Sequence, residues 1–144
     1  MKKYLRHIMA GLLFAILIAN FGFAKDPNTT DPRFSEEKLN RIEKNLVLAM
    51  ESSMPSLQAS AALVLKQVKS IAPEYGFNSA VIPLMRILKD EQGETNVRIA
   101  AALSLQDLKS ARGDFAIQRS AQFSDNDRVK HICSWLTYQR LKED

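Results

Sequence analysis

The chain has 144 residues, with 20 basic and 16 acidic side chains, two histidines and a single cysteine. One cysteine excludes an intramolecular disulfide, and so few His and Cys exclude a zinc-type cluster, so stability rests on packing. The formal charge of +4 falls to +1 once Lys2, Lys3 and Arg6 of an N-terminal leader are set aside, too weak a field to release counterions from phosphates, which argues against a nucleic-acid partner.

The leader runs from Met1-Lys2-Lys3-Tyr4-Leu5-Arg6 through an apolar stretch, Ile8 to Ile18, to a small-x-small ending at Gly22 and Ala24. Residues 1–24 therefore read as a signal peptide cleaved after Ala24, which predicts a periplasmic or secreted protein. The alternative is an uncleaved anchor, since Ile8 to Ala24 approaches the length of a bilayer span; a membrane tether enters only on that reading. Residues 25–33 are polar, carry Pro27 and Pro32 and lack periodicity, as expected of a flexible linker. Residues 34–144 suffice for one domain.

From Phe34 onward the apolar spacing is helical. Ser35, Glu36 and Glu37 open a helix carrying Leu39, Ile42, Leu46 and Ala49, and Pro55 opens a second with Leu57, Ala61, Leu65 and Val68. Pro73 and Gly76 end this pair. Asn78 is placed to cap a third helix, with Val81, Ile82, Leu84, Ile87 and Leu88; Gln92-Gly93 breaks it, and a fourth starts at Thr95 or Asn96. Gly113 interrupts the chain before a shorter fifth helix, about 115–123, and a sixth begins near Asp127.

Residues 41–71 return at 81–111, with identical Ile42/Ile82, Leu48/Leu88, Glu51/Glu91, Ala61-Ala62-Leu63/Ala101-Ala102-Leu103, Leu65/Leu105 and Lys69-Ser70/Lys109-Ser110. A third unit follows at a shorter interval, aligning Val129, Ile132, Cys133 and Trp135 with Val97, Ala100, Ala101 and Leu103. A period near forty residues marks a two-helix unit that buries its apolar face only by stacking on its neighbours. The predicted fold is all-α, a short right-handed α-solenoid of about three antiparallel helix pairs.

Ile82-Pro83-x2-Arg86-Ile87-Leu88-Lys89-Asp90 followed by Asn96-Val97-Arg98-x-Ala100-Ala101-Ala102-x2-Leu105 resembles the HEAT repeat. The resemblance spans about residues 36–141. It departs in the first unit, where Gln58 and Ser56 stand for the usual arginine and aspartate, so a ladder of charged contacts between units is expected to be incomplete there. The resemblance implies a protein-binding scaffold that uses a surface of second helices, while a few relatives that act as enzymes or bind chromophores keep an enzymatic reading open.

Catalytic chemistry finds few candidates. His131 and Cys133, two apart on a helix, point in different directions and cannot act as a nucleophile and base. Cys133 instead fills the small-residue slot of Ala61 and Ala101, Trp135 takes the position of Leu63 and Leu103 and is expected to fill the core, with anchoring of a partner as the alternative, and His131 reads as a partly buried margin residue. No phosphate loop, metal site or cofactor is expected. One pattern remains: Gln58, Ala62, Lys66 and Lys69, then Arg98, Ala102, Gln106 and Lys109, then Lys130, Ser134 and Tyr138, form a stripe on each second helix. Side by side, these stripes predict a partly basic surface for a protein partner, an acidic segment of an exported or envelope protein.

Overall fold

The computed structural model describes residues 34–143, so the expected signal peptide and the linker ending at residue 33 lie outside the described residues. Six helices follow in order, and no strand occurs among the described residues: α1 (Glu36–Met50), α2 (Pro55–Ile71), α3 (Val81–Lys89), α4 (Thr95–Leu108), α5 (Ala111–Phe123) and α6 (Asp127–Glu143). The all-α expectation and the number of helices are as the apolar spacing indicates.

Two helix starts differ from expectation for local reasons. The helix expected from 115 begins at Ala111, because the Ser110 hydroxyl accepts the Gly113 amide at 3.1 Å as an N-cap. Gly113 is thus part of the first turn. Asn78 does not cap α3 but opens a single 3-10 turn, Asn78–Ala80, and the chain enters that turn through Phe77 in the left-handed region at φ 45°. A non-glycine residue there costs about 1–2 kcal/mol. The ring is fully buried and stacks edge-on against Tyr75 at 4.6 Å, which offsets that cost.

Each odd helix packs on the even helix that follows it, and the even helices also pack on one another, α2 on α4 and α4 on α6. Two contacts set the direction of α2 and α4. The Ser104 hydroxyl donates to the Ala62 carbonyl at 2.7 Å, and Lys66 meets Asp107 at 3.4 Å, so residue numbers climb together along both helices. Asn126 donates to the Thr95 hydroxyl at 2.9 Å and ties the starts of α4 and α6. Helices α2 and α4 therefore run the same way, and α6 starts beside the start of α4.

The core follows from this arrangement. Leu65 and Leu105, at matching repeat positions, are fully buried, as are Leu84, Leu88, Ile117, Val129 and Cys133. Burying one such leucine is worth about 1.5–3 kcal/mol. Helix α4 is enclosed by α2, α3, α5 and α6, which is why Val97, Ala100, Ala101, Ala102, Ser104, Leu105 and Leu108 are all buried. Its run of alanines lets neighbouring backbones approach closely.

Candidate functional site: the open face of the even helices

The expected polar stripe does not form a single surface. Its central residues Ala62 and Ala102 are buried at helix seams, since Ser104 of α4 sits directly on the Ala62 carbonyl. Gln58 is half-buried and donates to the Ser52 carbonyl at 2.8 Å, while Lys66 pairs with Asp107 across the α2–α4 seam. Lys69 folds back onto the carbonyls of Pro73 and Tyr75, closing the C-terminal end of α2. Gln106 and Lys130 are half-buried, and Lys109 is the exposed C-cap of α4 at φ 50°. Only Ser134 and Tyr138 of the stripe lie open on α6, the tyrosine ring beneath the Lys142 ammonium at 4.6 Å.

Arg98 is the clearest correction. It is 1% exposed, its Nε donates to the Leu88 carbonyl at 3.0 Å, and its two terminal nitrogens grip Glu91 and the Ser124 hydroxyl. A guanidinium so enclosed holds α4 to the end of α3 and to the α5–α6 junction and has nothing left to offer a partner. The Arg98 guanidinium also holds the Glu91 carboxyl below its usual range, chiefly through these hydrogen bonds. Gln58, at the equivalent position of the first pair, reaches only Ser52, and Glu51 turns to Arg86 at 3.5 Å. The buried fork that Arg98 makes has no counterpart at Gln58, although Glu51–Arg86 and Lys66–Asp107 still link the first pair to the second.

An α-helix turns about 100° per residue, so the face that looks out lies one residue further round than the stripe. On α2 it carries Ala59 and Leu63, on α4 Ile99 and Leu103, and on α6 His131 and Trp135. Leu63 is 47% exposed and Trp135 50%; Ala59, Ile99 and Leu103 are half-buried and His131 is exposed. Taken helix by helix, these six residues fall in two rows of equivalent repeat positions, Leu63–Leu103–Trp135 and Ala59–Ile99–His131. The expectations that Trp135 fills the core and that His131 is partly buried are therefore both corrected. The repeat alignment held the signal, since these positions recur in register, but alignment alone does not say which side of a helix is covered.

The charges around the rows are unevenly distributed. Arg128, His131, Trp135 and Lys142 share the outward side of α6, and Lys66 borders Leu63 on α2. A second exposed aromatic set lies on α5, where Arg119 stands over the Phe123 ring at 4.2 Å.

Other reactive groups are inward and engaged. Burial pushes the Cys133 thiol up to about 11, which matches its place in the alanine slot. Burial and the hydrogen bond to Glu43 push the Tyr75 phenol up to about 12; the phenol donates to Glu43 at 2.9 Å, and the Ser79 amide donates to the same carboxylate at 2.7 Å. An open cleft of about 440 Å³ lies between the C-terminal ends of α2 and α4, lined by Lys69, Ser70, Pro73, Asp107 and Lys109. Lys69 is taken up there by the Pro73 and Tyr75 carbonyls and Asp107 by Lys66.

Among the described residues no group of three His, Cys, Asp or Glu side chains is disposed to hold a metal ion. Among them, too, no helix is long and apolar enough to cross a membrane. Compared with known proteins, the chain matches no family model, no curated protein and no solved structure.

Proposed function

We propose that this chain is an exported, non-enzymatic helical-repeat module, a short right-handed HEAT-like solenoid that binds a protein partner across its even helices. The observation that carries the reading is the row Leu63–Leu103–Trp135: three large apolar side chains at one repeat position on the three even helices, the outer two about half exposed. A tryptophan with a flat apolar body and a polar edge is well suited to anchor an interface. Arg128 and Lys142 beside the Trp135 end of the row favour a segment whose apolar side chains are flanked by acidic ones, with charge speeding encounter more than it deepens affinity. The leader at residues 1–24 supports export, which makes an envelope or secreted protein the partner.

The test compares the intact protein with Trp135→Ala and with Leu63→Ser/Leu103→Ser in capture of proteins from envelope extract, followed by mapping of the bound segment. Loss of one captured species in both variants, at an unchanged helical circular-dichroism spectrum, supports the reading, and a Lys89→Ala control on α3 should retain it. Equal capture by all four proteins overturns it.

A further inference from the structure

The first helix pair departs from the other two on one flank. Val97 and Val129 are 4% and 0% exposed, and Ser104 and Leu136 are 1% and 2%, because these positions of α4 and α6 face the even helix before them. Their counterparts on α2, Leu57 and Val64, are both 41% exposed, and Ile71 is 56% exposed. Among the described helices, α2 packs chiefly on α1 and α4. At Leu57 and Val64 this flank is therefore built like an internal seam, and among the described residues no helix packs on it as the preceding even helix packs on its equivalents.

Leu57, Val64 and Ile71 recur every seven residues, which keeps them in line along a helix that meets another helix. Ser60, between the first two, leaves room for backbones to approach. The flank carries no charge: α2 has no acidic residue, and its lysines, Lys66 and Lys69, are engaged elsewhere with Asp107 and with the Pro73 and Tyr75 carbonyls. An uncharged surface gives an acidic or basic partner nothing to steer by, yet it meets its own copy without opposing like charges. The pattern is also self-complementary. A two-fold axis at Val64 sets Val64 on Val64 of a second copy and Leu57 on Ile71 of that copy's antiparallel α2, the isologous arrangement of a closed dimer.

We infer that the Leu57–Val64–Ile71 flank of α2 is where two copies of this chain pair, α2 against α2. Pairing leaves the Trp135 end of the open face uncovered, since α6 lies on the far side of α4. The inference is independent of partner capture.

Sedimentation equilibrium of the purified protein over a wide concentration range tests it. A closed dimer is expected, and Val64→Glu should weaken association at least tenfold at unchanged helix content. Should Val64→Glu unfold the chain, Leu57→Gln supplies the same comparison more gently. Under mild oxidation Val64→Cys should cross-link to itself, because the axis brings the two copies of position 64 together. Three results would overturn the pairing: a monomer at every concentration, which is also what residues 1–33 covering the flank would give; an open polymer growing end to end; or a dimer indifferent to both variants.

Discussion

Arg98 and Glu91 meet through two parallel hydrogen bonds, Nη1 to Oε2 at 2.8 Å and Nη2 to Oε1 at 2.6 Å. The fork matches the planar guanidinium to a carboxylate, while the same side chain answers the Leu88 carbonyl and the Ser124 hydroxyl. One side chain thus joins α4 to the segments before and after it. Arg98→Ala should cost about 3 kcal/mol in urea unfolding, because it leaves those partners unanswered. Arg98→Lys should recover only part of this, since an ammonium cannot form the fork.

The same pair predicts an acid dependence. Its partner Arg98 holds Glu91 below the ordinary carboxyl value of 4.5, so the contribution of Glu91 is fully present above pH 4.5 and is lost as pH falls through the lower folded value. Thermal midpoints measured from pH 6 downward should decline below about pH 4.5. Glu91→Gln should lower the midpoint at pH 6 and flatten this part of the decline, which a difference plot of the two proteins will read.

Gly113 occupies a first-turn position that alanine would normally improve, though by less than the about 1 kcal/mol that separates the two residues in a helix interior. Here a Cβ would lie 2.9 Å from the Ser110 hydroxyl oxygen and 3.2 Å from a Leu105 methyl. The first contact disturbs the cap of α5 and the second presses on the core. Gly113→Ala is expected to destabilise by about 1 kcal/mol net, with crowding outweighing propensity. A stabilised variant in the same unfolding assay would show that α5 shifts freely against α4.

Leu63 and Leu105 test which side of the even helices is covered. Leu105 is fully buried, so Leu105→Ala should cost about 3 kcal/mol, whereas Leu63→Ala, at a half-exposed site on the open face, should cost less than 1 kcal/mol. Comparable losses at the two positions would mean that the open face is covered.

Cys133 should be silent in the folded protein. With the thiol buried and pushed up to about 11, its thiolate is scarce at pH 8, and a disulfide-exchange reagent should label it at least tenfold more slowly than after unfolding in urea.

Much of the helical framework was legible beforehand because it depends on periodicity. Leu39, Leu46, Leu65, Leu84, Leu88 and Leu105 recur at helical steps, and all are buried. Cys133 was readable as a packing residue because it falls where Ala61 and Ala101 stand. The misread elements share one cause. Arg98, taken as exposed from its place in a polar stripe, is buried because at that point the stripe faces its neighbours, and Trp135, taken as core from its alignment with Leu63 and Leu103, lies half exposed on a face that none of the described helices covers.

By itself the sequence determined the six helices, their boundaries within a few residues and much of the core, since spacing and caps are local properties of the chain. Only the tertiary structure decided which flank of α2, α4 and α6 meets a neighbour and which meets solvent. Helix α4 shows the physical reason: it is apolar or small on nearly every side, so its own pattern cannot rank its faces, and the helices packed around it do.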